Sequence, residues 1–430
     1  MRVPSPLSLR QVLAAVLLVA GMAEGHTQEQ VLKPRWSVPL PRTHYLIGFS
    51  ADGQTLLTAA ETKLHHVDRI HHWNVSNGKE LGSFPIDEVQ TLRYARFMSN
   101  IRMTADGKSL FVFYRDKQFI KHYSVAQAKL VATISPSPKP DSSISLWLSP
   151  DGQILYLRYQ LRGSKKNQSE IQAWDHTRQK LLFTLPKAKE VRLSPCGRYL
   201  LTFSYTGYFD PDDDPLFAPK EQEVDKSLYA WDARTGKALA KIETPETVLD
   251  FLSDGNAVLI DGKLYDTGTW KMLIHVKGIK PHWQSFSSDG AWMISLYARN
   301  GGGSFDNSMT AYGFIPYDLL KDMRQDPVVV YNKDSIFSVQ TPQFIPQTKI
   351  VAVPLFPATS PDAKPRQADD LSSSNHLLFY DLASRKRFAR LSFTSSFDYC
   401  CAPDGKCIAV VNNDKTGPRL ELVDVSSPKP

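Results

Sequence analysis

Cysteine is scarce in this chain, with four among 430 residues, so at most two disulfides can brace it and the fold must be held by its core. Basic residues never gather into a run long enough to follow a phosphate backbone, although the formal net charge is +7. That speaks against nucleic acid as a partner. Catalytic signatures are missing too. There is no G-x-S-x-G elbow, no H-E-x-x-H pair, no glycine-rich phosphate loop with lysine and no C-x-x-C-H haem attachment. No cofactor is therefore expected, and an enzyme is the less favoured reading. Amphipathic helices are lacking as well, since the one candidate, residues 318–324, is too short to stand alone. What remains is 42% hydrophobic and 22% charged, the balance of a chain with a sizeable core.

Long apolar runs are missing beyond the start. Arg2 and Arg10 flank the beginning of an apolar stretch, Val12–Ala20, that is too short to span a bilayer. Ala23-Glu24-Gly25 then offers small residues where a signal peptidase reads. Residues 1–25 are expected to be a cleaved signal peptide and residues 26–430 the folded domain, periplasmic or extracellular. An uncleaved anchor would need the run to continue through Met22 and Ala23. No later segment reaches transmembrane length.

A repeat organises the rest. A Ser/Thr-x-Asp-Gly turn leading into an apolar strand reads FSADGQTLL at Phe49–Leu57, MTADGKSLFV at Met103–Val112 and LSPDGQILYL at Leu148–Leu157. It continues as LSPCGRYLL at Leu193–Leu201, FLSDGNAVLI at Phe251–Ile260 and FSSDGAWMI at Phe286–Ile294. A worn copy, QFIPQTKIVAV, stands at Gln343–Val353, and CAPDGKCIAVV closes the series at Cys401–Val411. Each turn is followed by an aromatic or apolar residue before Asp or a substitute, at Asn74, Ser124, Asp175, Asp232, Asp266, Asp318, Asp381 and Asp424. Asp-Gly makes a tight turn because glycine accepts positive φ and Asp bonds its own following backbone. The next run, rich in β-branched, Leu and aromatic residues, suits a strand buried between neighbouring sheets. One small sheet cannot bury both faces, so such meanders must stack around an axis.

These turns, together with Trp174-Asp175 and Trp231-Asp232, resemble WD-repeat propellers of a divergent bacterial type, and the resemblance spans essentially the whole chain after residue 25. It departs from the family in lacking the Gly-His dipeptide before every inner strand, and its repeat spacing is irregular. The fold it implies is all-β: a single β-propeller of eight four-stranded blades, with seven as the alternative if the worn copy is absorbed elsewhere. The last repeat runs out of sequence after three strands. A spare strand-like segment, Arg35–Leu40, is placed to complete that blade from the N-terminus and remove two exposed edges. Pro34, Pro39 and Pro41 weaken pairing there.

In such meanders the first-to-second and third-to-fourth turns share one face, and the second-to-third connections share the other. The extra length falls between second and third strands, at residues 160–169, 204–226, 298–308 and 356–374. Long loops gathered on one rim of a rigid disc are where binding usually sits. The richest is 204–226, where Tyr205, Tyr208, Phe209 and Phe217 surround Asp212, Asp213 and Asp214, an interface-like composition. The same carboxylates, with Asp210, invite a calcium reading, but the segment lacks the glycine and distal glutamate of an EF-hand loop.

Three smaller signals stay open. His65-His66 and His71-His72 suggest imidazole ligands, yet adjacent strand residues point to opposite faces, so only one of each pair can converge on a metal. Cys401 and Cys407 flank one turn and form a disulfide if the hairpin register sets them opposite each other. Cys196 replaces the turn Asp and reads as a free thiol. The expectation is an exported, monomeric, non-enzymatic scaffold that binds a protein or other extracytoplasmic ligand through its long-loop face. The alternative is a propeller enzyme of hydrolase, lactonase or redox type, with its site at the mouth of the central channel.

Overall fold

The computed structural model describes residues 30–425 apart from 64–65, 91–100, 115–118, 136–141, 162–168, 187, 189, 204–226, 244–248, 253, 277–283, 301–308, 322, 332–336, 340–341, 358–374, 395–396 and 415–416. Every regular element among them is a strand. The strands form eight sheets, each built on an antiparallel meander, two of them joined by a strand from the N-terminal end of the chain. The chain is an eight-bladed β-propeller.

Blade 3 shows how a repeat folds. Its strands run Ser142–Leu148, Ile154–Leu161, Ser169–Asp175 and Lys180–Pro186, paired in that order. In the first turn the Ser149 hydroxyl donates to the Asp151 carboxylate at 2.6 Å and accepts the Ile154 N–H at 2.8 Å. Asp151 takes the Gln153 N–H at 3.1 Å, while the Gly152 N–H closes on the Ser149 carbonyl at 2.8 Å. Gly152 has φ 71°, and a Cβ there would lie 2.5 Å from Thr104 Cγ2 in the turn of blade 2. The glycine therefore answers two demands, a left-handed backbone and close stacking on the preceding blade.

The worn copy is a true blade. In Phe344–Ile350 the Ile345 N–H bonds the Ile350 carbonyl at 2.9 Å, and the Thr348 N–H bonds the Ile345 carbonyl at 3.2 Å. Gln347 takes the left-handed conformation, φ 56°, that glycine takes elsewhere. Blade 7 follows as Ile350–Pro357, Asn375–Asp381 and Lys386–Phe393. This settles the count at eight rather than seven.

Inner strands of neighbouring blades touch one another, for example His44–Phe49 with Ile101–Met103 and with Phe397–Cys401. The fourth strands face outward: the leading residues of Lys129–Ile134 and Lys180–Pro186 are exposed. Eight apolar clusters fill the eight junctions between blades. Leu57, Ile70 and Phe84 of blade 1, for instance, pack on Leu110, Val112 and Tyr123 of blade 2. Burying one such side chain is worth about 1.5–3 kcal/mol. Because each cluster draws on two blades, no blade holds its own core.

The ring closes as the sequence led us to expect. Pro34–Pro39 pairs antiparallel with Gly417–Asp424 and becomes the outer strand of blade 8. Pro34 and Pro39 sit at its two ends, where a missing N–H costs least. Arg35 forms an ion pair with Asp424. Trp36 Nε1 donates to the Val75 carbonyl of blade 1 at 2.8 Å, and its ring lies against Gly78. Just upstream, Gln30–Val31 adds in parallel to the outer strand of blade 7, a contact the sequence did not announce.

All four cysteines are free. The hairpin register pairs Cys401 with Ile408 and Cys400 with Ala409, so Cys401 and Cys407 point to opposite faces of blade 8. Cys401 packs in the core between blades 7 and 8, and Cys407 in the core between blades 8 and 1. The disulfide considered between them therefore does not form. Burial pushes the Cys401 thiol up to about 12 and Cys407 to about 11, and both stay protonated. Cys196 is exposed.

Candidate functional site

The two faces of the disc differ in what joins the strands. On one face the described turns are tight, such as Ser50–Thr55 and Asn74–Lys79. On the other, second and third strands end far apart in sequence, at Leu161 and Ser169, Phe203 and Ser227, Asn300 and Met309, and Pro357 and Asn375. In blades 1, 2, 5 and 8 the same strand ends are close in sequence, at Lys63 and His66, Tyr114 and Phe119, Ile260 and Lys263, and Asp414 and Gly417. In blade 5 Asp261 and Gly262 close that end at φ 49° and 70°. The aromatic and acidic residues Tyr205, Tyr208, Phe209, Asp212, Asp213, Asp214 and Phe217 lie outside the described residues. Their anchor points, Phe203 and Ser227, both belong to blade 4 on the long-connection face.

Stacking the blades aligns one position that the sequence repeat had not singled out. The residue directly before each turn Ser or its equivalent packs backward into the preceding junction, as Met103, Leu148, Phe251 and Phe344 do. The residue before that one is not uniformly apolar. Around the ring it is Gly48, Arg102, Trp147, Arg192, Asp250, Ser285, Gln343 and Cys400. Strand alternation turns these side chains toward the following blade, and the Ser285 hydroxyl indeed accepts the Phe344 N–H at 3.3 Å. The ring thus mixes charged, polar, aromatic and small residues on the innermost strands.

Two charged members of this ring are shifted from their ordinary ionisation. Burial raises the Asp250 carboxyl from 3.8 to about 6, while the Arg192 cation of the neighbouring blade pulls it the other way. Burial also lowers the Arg102 guanidinium from its ordinary value, and Arg102 Nη1 donates to the Ile101 carbonyl at 2.9 Å. Arg102 lines a cavity of about 420 Å³ between the inner strands of blades 1 and 2, walled by residues 46–49 and 101–105. Below it the two turns are joined by a hydrogen bond from the Ala51 N–H to the Ala105 carbonyl, 2.6 Å. The wall is irregular on one side. Leu46 pairs with Thr58 and Gly48 with Leu57, so Ile47 is bulged out of register, and Gly48 has φ 148°. Among the described pairs of first and second strands, this is the one that carries such a shift inside a continuous ladder.

The histidines divide between core and surface. His44 opens the first inner strand with no glycine before it, which hid it from a search for Gly-His. Its Nδ1 lies 2.8 Å from the Thr58 hydroxyl, which also accepts Trp73 Nε1–H at 2.9 Å. Burial, with help from the His71 and Arg42 charges, lowers His44 to about 3, so it is neutral at physiological pH. His71 stacks on Trp73 and bonds Glu80 at 2.8 Å, and His72 faces the other side of the sheet. His65 lies outside the described residues. Among the described residues no group of three or more His, Cys, Asp or Glu side chains is placed to hold a metal. None forms a helix long and apolar enough to cross a membrane.

No protein-family model matches the chain, and no curated protein matches it in sequence. Solved structures similar to it include Kuenenia stuttgartiensis hydrazine synthase, 13% identical with TM-score 0.47, covering 93% of this chain and 100% of that one. Another is the Myceliophteria thermophila Cps50 (Swd1) β-propeller domain, 9% identical with TM-score 0.46, covering 92% and 100%. The propeller assignment rests on this chain's own sheet order.

Proposed function

We propose that the protein is an exported, WD-like, non-enzymatic propeller that holds a protein or other extracytoplasmic partner on its long-connection face. One observation carries this reading. The strand ends separated by the longest stretches of sequence all lie on the same face of an otherwise tightly turned disc, and long loops on a rigid scaffold are the usual seat of recognition. The aromatic and acidic residues between Phe203 and Ser227 supply the anchor types that partner surfaces favour.

The test compares the chain from His26 with a variant in which 204–226 is replaced by a short Gly-Ser turn. Both are chemically crosslinked in the extracytoplasmic fraction of the producing cell. Crosslinks should map to the long-connection face and disappear in the variant. Partners captured equally by both proteins would sink the assignment to that loop. Export itself is checked by N-terminal sequencing of secreted material, which should begin at His26.

A further inference from the structure

We propose that the outer edge of blade 2, Lys129–Ile134, receives an extended segment of a partner protein as an added parallel β-strand. An aliphatic side chain of that segment covers Leu130 and Val131. The edge lies on the circumference of the disc, so this inference does not rest on the reading of the long-connection face.

The molecule contains one example of this pairing in itself. On blade 7, Gln30–Val31 runs parallel to the outer strand, with Gln30 opposite Ala389 and Val31 opposite Arg390. The Leu32 N–H then bonds the Arg390 carbonyl at 3.1 Å. Just before that contact the outer strand is bulged at Phe388, which is 7% exposed and shares a buried cluster with Leu32. Blade 2 repeats the bulged strand without the cover. Its register with the third strand skips Val131, so Val131 stands where Phe388 stands, and Thr133 where Arg390 stands. Here Leu130 is 44% exposed and Val131 53%. By this correspondence the Thr133 N–H and carbonyl face the open edge, since both groups of one strand residue point the same way.

Folded chains blunt such edges with proline, charge or shortness. Among the described residues the other uncovered outer strands of blades 1 to 5 each carry one of these. Pro85 interrupts Glu80–Gln90, and Pro186 ends Lys180–Pro186. Lys241 and Glu243 charge Ala238–Glu243, and Met272–His275 has four residues. Lys129–Ile134 has six residues, with no proline and no charge after Lys129. An open edge of this kind is a template for strand addition. Parallel addition runs the N-terminal side of the incoming segment toward the exposed Lys129, which favours an acidic residue there.

The probe is a blocked synthetic peptide of residues 27–34, Thr-Gln-Glu-Gln-Val-Leu-Lys-Pro. It is titrated into the chain from His26 carrying labelled Leu and Val methyl groups. Binding should show a Kd on the order of 1 mM, the range for so short a pairing. It should shift the Leu130 and Val131 methyls, assigned from Leu130→Ile and Val131→Ile. A peptide with Leu32→Ser should bind roughly tenfold more weakly, and one with Glu29→Lys roughly threefold. In the protein, Thr133→Pro removes the outward N–H, which an edge strand tolerates, and should abolish the shifts. Thr133→Val keeps that N–H and should bind like the parent. Absence of shifts at Leu130 and Val131, shifts confined to Leu391 of blade 7, or equal binding of the Leu32→Ser peptide would overturn the proposal. So would undiminished binding by Thr133→Pro. Sedimentation and flotation with phosphatidylglycerol vesicles cover the other occupants. A dimer or vesicle binding that Thr133→Pro abolishes gives the edge to a second copy or a membrane, and the proposal fails.

Discussion

Asp250 places a carboxyl on the inner ring under partial burial, and its cost to the fold can be worked out. The group titrates at 3.8 when unperturbed and at about 6 in the native chain. Between those values the native state holds a proton that the unfolded state has released. Stability therefore falls as pH rises from about 4 to about 6, and the penalty is complete above that window. At ~1.4 kcal/mol per pH unit the gap amounts to a ceiling of about 3 kcal/mol. Asp250→Asn removes the charge and keeps an oxygen for the Phe251 N–H that Asp250 accepts. The variant should match the parent near pH 4 and exceed it above pH 7. For a fold of ~400 residues, each kcal/mol moves Tm by about 1.2 °C, so the expected gain is about 2–4 °C at pH 7.5. Differential scanning calorimetry of both proteins from pH 4 to 8 reads this directly. Charges elsewhere cancel in the difference. Arg192→Gln should extend the falling limb above pH 6, because the opposing cation is gone. A difference between Asp250→Asn and parent that stays flat over this range, or that shrinks as pH rises, refutes the reasoning.

Two further substitutions test how blade 1 is built and how the ring is shut. Thr58→Val keeps the shape of the side chain but strands Trp73 Nε1 and His44 Nδ1 in the core. It should cost about 2–4 kcal/mol by urea denaturation, against less than about 1.5 kcal/mol for Thr58→Ser, which keeps the hydroxyl. Trp36→Ala removes the ring that lies on Gly78 and the bond to the Val75 carbonyl. It should cost about 2–3 kcal/mol. Hydrogen exchange should speed in Gly417–Asp424, the strand that Pro34–Pro39 covers, and should not change in Ser227–Asp232 of blade 4. Uniform acceleration in both strands would argue against a local clasp.

Much of this architecture was legible in the amino-acid order, because the signals involved are short-range. A Ser/Thr-x-Asp-Gly turn is built from four or five neighbouring residues whose hydroxyl, carboxylate and positive φ satisfy one another, as Ser149–Ile154 shows. Repeating it fixed the meanders, the spare strand near Arg35 and the face on which length accumulates. Other features depended on pairing and stacking. Whether Cys401 faced Cys407 hung on a single residue of register, which turn-flanking cysteines cannot specify alone. Whether Gln343–Val353 was a blade depended on Gln347 accepting a backbone that glycine normally supplies. The ring containing Gly48, Arg102, Arg192 and Asp250 could not be seen as a unit, since its members are separated by whole blades and follow no common residue pattern. Only the closing of eight sheets around one axis brings them to the same level, and only there do burial and a bulged strand give them chemistry.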